Sequence, residues 1–316
     1  MSAAATLELT VTAKERIARD VVALTLTHTG GRRLPDWAPG AHLDLILPNG
    51  LTRQYSLCGD RWNPHQYRIA VLREPAGRGG SAYVHDSLGV GDAVSVGGPR
   101  NNFTLAPGGP YLFVAGGIGI TPILPMVAQA DRLGCQWRLR YTGRSRTTMA
   151  FLDELAVYGD QVGVWANDEH GIADVRTWID ECSEDTLVYC CGPAGLIEAV
   201  RGHCAQRSSG RLRTERFVAD APTTAVRDHP FDVVLSRSGR RVTVEPTQSI
   251  LDALATAGVS VLSSCRQGVC GTCEIAVLSG QPDHRDSILD DPERASEDCM
   301  FVCVSRSRSA QLTLDL

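Results

Sequence analysis

The sequence predicts a multidomain protein with three folds in series: an antiparallel β-barrel, an α/β domain with a parallel sheet, and a small α+β domain. Short apolar runs separated by turn residues fill the first part, which is typical of small barrels. Strands then alternate with helical segments, as in βαβ units. A polar segment with two prolines precedes a last mixed set of elements. The predicted divisions are 1–106, 107–220, a linker at 221–230, and 231–316.

Composition limits the class of protein. The chain has 316 residues, of which 43% are hydrophobic and 21% charged, as in ordinary globular proteins. The net charge of -5 argues against general nucleic-acid binding. No apolar run reaches the length of a membrane span, and the N-terminus does not read as a signal peptide. We therefore expect a cytoplasmic protein without membrane or nucleic-acid partners. The 11 cysteines, an odd number, favour reduced thiols and a metal site over disulfides.

The barrel strands are predicted at LELTVT, VVALTLTH, HLDLILP, YRIAVLR and AVSVGG, with one helix from Gly80 to Leu88. The segment RQYSL, which begins at Arg53, has side chains suited to ligand binding. In a strand, Arg53 and Tyr55 share one face and Ser56 lies on the other. One short element could therefore surround a flat ligand with a cation, an aromatic ring and a hydroxyl.

A second chemical segment is GRGGS, residues 77–81, which opens the predicted helix. Glycines expose backbone N–H groups, and Ser81 adds a hydroxyl, so the segment suits a phosphate. The alternative is a Gly-rich turn in which Ser81 is an ordinary helix N-cap.

The α/β domain is predicted from the strands YLFVAGG, WRLRYTG, VGVWAN and TLVYCCG, with helices near TPILPMVAQADRLG, MAFLDELAVYG, ADVRTWIDEC and GLIEAVRGHCA. Ligands of parallel sheets bind at the carboxyl ends of the strands. The loops there are GGIGITP (residues 116–122), YTGRSR (141–146) and CCGP (190–193). The first suits a pyrophosphate, although it is not the G-x-G-x-x-G fingerprint. Arg144 and Arg146 could pair with phosphate or be plain surface arginines.

The last domain is predicted as a hairpin, an amphipathic helix and the strands EIAVLSG, CMFVCVS and QLTLDL. Cys265, Cys270 and Cys273 have the C-x4-C-x2-C spacing of plant-type [2Fe–2S] clusters, with a fourth thiolate from a later strand. Gly268 and Gly271 would permit the tight loop. Zinc is the main competitor, but a second CxxC-like knuckle is lacking. Spacing alone does not choose between Cys299 and Cys303 as the fourth ligand.

The segment 283–298 contains seven acidic residues against two arginines. It is either a solvated loop or an acidic docking surface beside the cluster.

Taken in order, the motifs RQYSL, GRGGS, GGIGITP, YTGRSR, YCCGP, ERF (215–217), SSCRQGVCGTC and CVSRS resemble the phthalate dioxygenase reductase family, which includes vanillate demethylase-type reductases. The resemblance covers essentially the whole chain. It implies a flavin-binding barrel that holds FMN, a nicotinamide domain for NADH, and a plant-type ferredoxin (β-grasp) domain with a [2Fe–2S] cluster.

The resemblance also implies roles for individual residues. Those expected at the reacting centre are Ser56, Thr121, Cys191, Glu215 and Phe217. Flavin contacts are expected from Arg53, Tyr55, Ser56, Ala70, Val71, Leu72, Gly79, Gly80 and Ser81, and nicotinamide-side contacts from Gly116, Gly117, Thr121, Gly143, Arg144, Cys191, Gly192 and Pro193. The CVSR pattern selects Cys303 as the fourth ligand beside Cys265, Cys270 and Cys273.

The implied activity is oxidation of NADH by hydride transfer to FMN, followed by single-electron transfer through the cluster. The implied partner is a terminal oxygenase, most simply a Rieske non-haem iron enzyme, docking near the ferredoxin domain of a protein that is monomeric when free. A haem monooxygenase partner is the alternative. A non-turnover redox sensor is a third hypothesis, which the intact RQYSL and GGIGITP segments disfavour. NADPH and FAD remain open as alternatives to NADH and FMN.

Overall fold

The computed structural model describes residues 6–206, 211–218, 229–289 and 291–316, with the side chains of residues 291 and 292 left out. The chain forms two compact units, Met1–Glu215 and Arg216–Leu316. The first unit contains the predicted barrel and parallel sheet, and the second contains the α+β domain. Most of the predicted linker at 221–230 lies outside the described residues, and the domain boundaries stay predictions.

The barrel consists of β1 (Leu7–Ala18), β2 (Val21–His28), β3 (His42–Ile46), β4 (Thr52–Ser56), β5 (Gln66–Leu72), α1 (Gly80–Asp86) and β6 (Ala93–Arg100). The antiparallel strands follow the order β4-β3-β6-β1-β2-β5. An antiparallel bridge between Leu57 and Ile69 joins the chain after β4 to β5. Because β4 and β5 are the two edges of the sheet, this bridge closes the predicted barrel.

The α/β part consists of β7 (Tyr111–Gly116), α2 (Ile120–Arg132), β8 (Trp137–Gly143), α3 (Leu152–Leu155), β9 (Val162–Ala166), α4 (Asn167–His170), α5 (Val175–Asp180), β10 (Leu187–Cys191), α6 (Ala194–Gln206) and β11 (Leu212–Glu215). The parallel strands follow the order β11-β10-β7-β8-β9. The helix predicted near MAFLDELAVYG is present but short. Only one helical turn, α3, forms there, and irregular 3₁₀ turns follow it.

Helices cover both faces of this sheet. Phe113 and Ala115 of β7 share a core with α2, whereas Leu112 and Val114 share a different core with α5 and α6. Alternate residues of a strand point to opposite faces, so β7 is buried on both sides. Its continuous apolar sequence follows from this position.

The second unit consists of β12 (Phe231–Leu235), β13 (Arg241–Val244), α7 (Ile250–Thr256), β14 (Glu274–Ser279), β15 (Pro282–Asp283), α8 (Asp291–Ser296), β16 (Cys299–Phe301), β17 (Arg306–Ser307) and β18 (Gln311–Leu314). The main sheet has the order β13-β12-β18-β14-β16, with β12 and β18 parallel. The predicted mixed α+β fold is confirmed. Across the described ranges of both units, no helix combines the length and apolar composition needed to span a bilayer.

Candidate functional site

Arg53 on β4 reaches the glycine segment that opens α1. Its guanidinium donates to the carbonyl oxygens of Arg78 (2.7 Å) and Thr52 (2.8 Å). A Cβ atom on Gly80 would lie 2.5 Å from Arg53 Cγ, so only glycine allows the arginine to cross this segment. The structure therefore brings together the two barrel segments that were singled out separately.

Ser81 is not the N-cap of α1, so that alternative was wrong. Gly79 occupies the N-cap position with φ 80°, and the Ser81 hydroxyl accepts the N–H of Glu74 at 3.0 Å. This contact leaves the hydroxyl proton of Ser81 able to donate to a ligand.

Tyr55 and Ser56 lie at the end of β4, opposite β3. Ser56 is buried and pairs with His42 across the strands, and Tyr55 pairs with Leu43. Burial raises the pKa of Tyr55 to about 12, so its ring is neutral and mainly apolar at neutral pH. The predicted contacts of both residues with a flat ligand stay predictions.

The three candidates on β5 differ in their surroundings. Ala70 belongs to the core shared with the parallel sheet, whereas Val71 is fully buried in the barrel core. The carbonyl oxygen of Val71 lies 2.9 Å from His85 Nε2 of α1. Leu72 is partly buried. The side chain of Val71 therefore serves packing, and its backbone helps to fix α1.

Lys14, the only lysine, bonds the end of the helix α1 and was not singled out from the sequence. Its Nζ donates to the carbonyl oxygens of Val84 (2.8 Å), His85 (2.8 Å) and Leu88 (2.7 Å) at the end of α1. An ammonium group has three donors and matches three carbonyls that the helix end leaves unpaired. The isolation of one lysine among 30 arginines was the only signal in the sequence.

The loops after β7 and β10 touch one another. A Cβ atom on Gly119 would lie 2.3 Å from the carbonyl oxygen of Cys191, and one on Gly116 would lie 2.7 Å from Pro193 Cδ. Thr121 is buried, and its hydroxyl donates to the Ile118 carbonyl at 2.9 Å. Gly116 and Gly119 thus permit close packing of the two loops, and sequence reasoning did not single out Gly119.

Tyr141 of β8 is a second residue that was missed. Its hydroxyl donates to the carbonyl of Gly117 at 3.1 Å, and burial raises the pKa of the phenol. A Cβ atom on Gly143 would lie 2.4 Å from Met149 Cγ, so this glycine also has a packing role. Through Tyr141 and Gly143, β8 therefore contacts both the GGIGITP loop and the segment that follows β8.

The two arginines after β8 differ in their contacts. Arg146 Nε donates to both oxygens of Glu169 at 3.0 and 3.1 Å. The Arg144 side chain is exposed, and its carbonyl accepts the N–H of Asp168 at 3.0 Å. The chain after β9 therefore lies beside the YTGRSR loop and balances part of its positive charge.

Cys191 and Glu215 are paired on neighbouring parallel strands, β10 and β11. Cys191 is fully buried, and the Oε2 atom of Glu215 is buried without a hydrogen-bond partner among the described residues. Burial raises the pKa of Glu215 to about 8. Phe217 belongs to the second unit and is 39% exposed.

Glu215 should make the stability of the protein pH-dependent. Its pKa is about 8 in the folded protein against 4.5 as the reference value, so between these values the folded state binds more protons. The contribution of Glu215 to the free energy of unfolding is therefore full at low pH and is lost as pH rises to 8. We expect Glu215→Gln to gain melting temperature relative to the wild-type protein between pH 5 and pH 9. A difference that does not change with pH would contradict this.

Four cysteine thiols converge in the second unit. The Cys265 thiol contacts those of Cys270 and Cys303, and Cys303 also contacts Cys273. The sequence predicts that Cys303 lies within a strand. In the structure it lies in the turn after β16. Cys299, at the start of β16, is next to Glu274 and Asp298 instead.

The loop that carries three of these thiols fits a [2Fe–2S] cluster. Gly268 and Gly271 have φ values of 69° and 75°, which favour glycine. Cys265 Sγ accepts the N–H of Gln267 at 3.2 Å, a bond suited to a thiolate. Among the described residues, no group of three or more His, Cys, Asp or Glu side chains has the geometry to hold a single metal ion. A two-iron cluster takes two thiolates at each iron.

The acidic segment 283–298 is not a simple solvated loop. It contains the last residue of β15 and all of α8, and Asp283 and Asp286 are buried. These two cannot contribute to an exposed docking surface, so that part of the hypothesis is corrected. Glu293 and Asp298 are exposed, whereas Asp290 and the Asp291 side chain lie outside the described residues.

Comparisons with known proteins agree with this architecture. The family described as 2Fe-2S iron-sulfur cluster binding domain matches residues 233–308. Phenoxybenzoate dioxygenase subunit beta of Ectopseudomonas oleovorans is 45% identical over 100% of both chains. The structure of phthalate dioxygenase reductase, described as modular for electron transfer from pyridine nucleotides to [2Fe–2S], is 41% identical with a TM-score of 0.72 over 98% of both chains.

A self-sufficient cytochrome P450 monooxygenase structure is also 41% identical, with a TM-score of 0.92 over 98% of this chain and 41% of that one. Because similarity to the solved reductase extends over both chains nearly end to end, the chain belongs to the phthalate dioxygenase reductase family of NADH-dependent flavin and iron–sulfur oxidoreductases.

Proposed function

We propose that the protein oxidises NADH and delivers single electrons to a terminal oxygenase of the Rieske non-haem iron type. One observation supports this proposal: the chain combines two kinds of candidate site. Four thiols converge in the second unit. The first unit contains a barrel and a parallel sheet, and the candidate ligand loops of that sheet meet at its strand ends. When bound, FMN can accept a hydride and release electrons singly, so it can connect NADH, which donates two electrons, to a cluster that accepts one at a time.

The residues of the chain would bind and orient these groups. Arg53, Gly79 and Ser81 would hold the flavin phosphate, and Tyr55 and Ser56 would contact the flavin ring. Thr121 and Cys191, on loops in backbone contact, would place the nicotinamide against the flavin and exclude water. Cys265, Cys270, Cys273 and Cys303 would hold the cluster.

A mixture of loaded protein, NADH and cytochrome c tests the proposal. We expect NADH-dependent reduction of cytochrome c that requires the cluster, and reduction of ferricyanide that requires only the flavin. Absence of both reactions in a protein that carries flavin and cluster would refute the proposal and would favour a redox sensor.

A haem monooxygenase is the second candidate partner. The observation that favours it is the similarity to 41% of the chain of a self-sufficient cytochrome P450 monooxygenase. Comparing reduction rates of a purified Rieske oxygenase and a purified P450 would separate the two candidates.

We further propose that a monomeric form docks through the exposed acids near the second unit's α8. Glu293 and Asp298 are exposed carboxylates in this region. Reversing both charges should slow reduction of the oxygenase in a salt-dependent manner, because exposed charges mainly steer association. Ferricyanide reduction should not change. If the charge-reversed variant reduced the oxygenase at the wild-type rate at low salt, the proposed docking surface would be refuted.

Glu169 is proposed to favour NADH over NADPH. Because both carboxylate oxygens of Glu169 lie against the Nε atom of Arg146, the carboxylate would repel a 2′-phosphate that approached this arginine. Glu169→Gln should raise kcat/KM for NADPH by roughly tenfold, equivalent to one freed charge contact of about 1.4 kcal/mol, with little change for NADH. An unchanged ratio of the two efficiencies would contradict this role.

A further inference from the structure

The segment 284–289 supports the cysteine loop from behind. The N–H of Ser287 donates to the carbonyl of Gly268 at 2.9 Å, between Cys265 and Cys270. A Cβ atom on Gly268 would lie 3.0 Å from Asp286 Cα and 2.6 Å from Val304 Cγ2. Asp286 is therefore packed directly against the loop that carries three of the four thiols.

The Asp286 carboxylate is buried and only half satisfied. Its Oδ2 atom accepts the N–H groups of Ile288 (3.1 Å) and Leu289 (2.9 Å). Its Oδ1 atom has no hydrogen-bond partner within the described part of the chain, and its side chain is 0% exposed. A buried polar atom of this kind is costly to leave unpaired.

The neighbouring imidazole does not neutralise this charge. His284 Nδ1 lies 3.9 Å from Asp286 Oδ1, beyond hydrogen-bond distance, and the imidazole is 2% exposed. Burial is the main reason that the pKa of His284 is lowered, so the ring is uncharged at neutral pH. Arg308, Glu297 and Arg294 are the other charged groups that act on it.

Arg294 places a positive charge near the other oxygen of the Asp286 carboxylate. Its Nη2 atom lies 3.8 Å from Oδ2 and donates to the Asp286 carbonyl at 2.6 Å, while Nε donates to Leu289 at 3.0 Å. The Arg294 side chain is 33% exposed, so water screens its charge more than that of Asp286. The Arg294 guanidinium therefore offsets only part of the Asp286 charge.

We propose that Asp286 is a positioning residue that lowers the reduction potential of the cluster by placing a fixed buried negative charge behind the Cys265–Cys270 loop, with Arg294 as a partial counterweight. This inference rests on the proposed [2Fe–2S] site. Reduction adds one negative charge to the cluster, and a nearby carboxylate in a medium of low dielectric constant opposes that addition.

Potentials measured by dye-mediated titration and followed by EPR test the proposal without NADH or an oxygenase. Asp286→Asn keeps the shape and one acceptor for the Ile288 and Leu289 amides. It should raise the equilibrium constant for cluster reduction about tenfold, or about 59 mV for one electron. Arg294→Gln should shift the potential in the opposite direction by about threefold, and Arg294→Lys, which keeps the charge, by less.

Asp298→Asn is the matched control, because it removes an exposed carboxylate from the same unit. It should change the equilibrium constant by less than about twofold, since exposed charges are screened. An Asp286→Asn potential within about twofold of wild type, or shifts of the same sign in the Asp286 and Arg294 variants, would overturn the inference. A wild-type protein without a reducible [2Fe–2S] signal would instead refute the cluster site itself.

Discussion

Cys303→Ser is expected to abolish the assembled cluster, whereas Cys299→Ser is expected to keep it. Cys303 contacts the thiols of both Cys265 and Cys273, so its loss removes one of the four sulfur ligands. The expected loss of iron affinity exceeds the roughly 10–100-fold that follows removal of a group outside the ligand shell. Iron and sulfide content, with the visible and EPR spectra, measure the result.

Cys299 supplies a matched control because it is four residues away and chemically identical. It lies beside Glu274 and Asp298, and burial is the main reason that its pKa rises to about 11. Its thiol is therefore not one of the four that converge. Cytochrome c reduction should disappear in Cys303→Ser and persist in Cys299→Ser, with ferricyanide reduction retained in both. A cluster that survives in the first variant and is lost in the second would reverse the assignment.

The fold class was predictable because hydrophobic periodicity reports on it directly. The apolar run of β7 and the alternating barrel strands are local properties of the sequence. By contrast, β11 has the sequence LRTE and no apolar run, so only its parallel pairing with β10 makes it a strand. The short elements β15, β17 and α8 likewise depend on tertiary contacts, which a local sequence pattern does not predict.

The candidate site was predictable as motifs but not as contacts. Spacing alone left Cys299 and Cys303 as equal alternatives, and only a family resemblance chose between them. The acidic character of segment 283–298 suggested a surface, yet Asp283 and Asp286 are buried. Charge counting cannot distinguish an exposed carboxylate from one that packs behind a loop, because both have the same letter in the sequence.

The role of Gly119 was also not visible in the motif. Its substitution has the second large effect that we expect. The sequence suggested that the glycines of GGIGITP serve a pyrophosphate. In the structure a Cβ atom on Gly119 would lie 2.3 Å from the Cys191 carbonyl oxygen and 2.7 Å from the Gly192 nitrogen. Both are backbone atoms of a buried strand end, so no side-chain rotation can relieve the contact.

Gly119→Ala should therefore separate the loops that carry Thr121 and Cys191. A displacement of about 1 Å in a hydride-transfer geometry costs roughly 100-fold in rate. We expect stopped-flow reduction of the flavin by NADH to slow by that factor, while flavin content, cluster content and reduction by dithionite stay normal. Gly202→Ala is the control: Gly202 lies in α6 with no atom within 4 Å of a new Cβ, and alanine favours a helix. Flavin reduction by Gly119→Ala at the rate of Gly202→Ala would show that the close contact of the two loops does not position the nicotinamide.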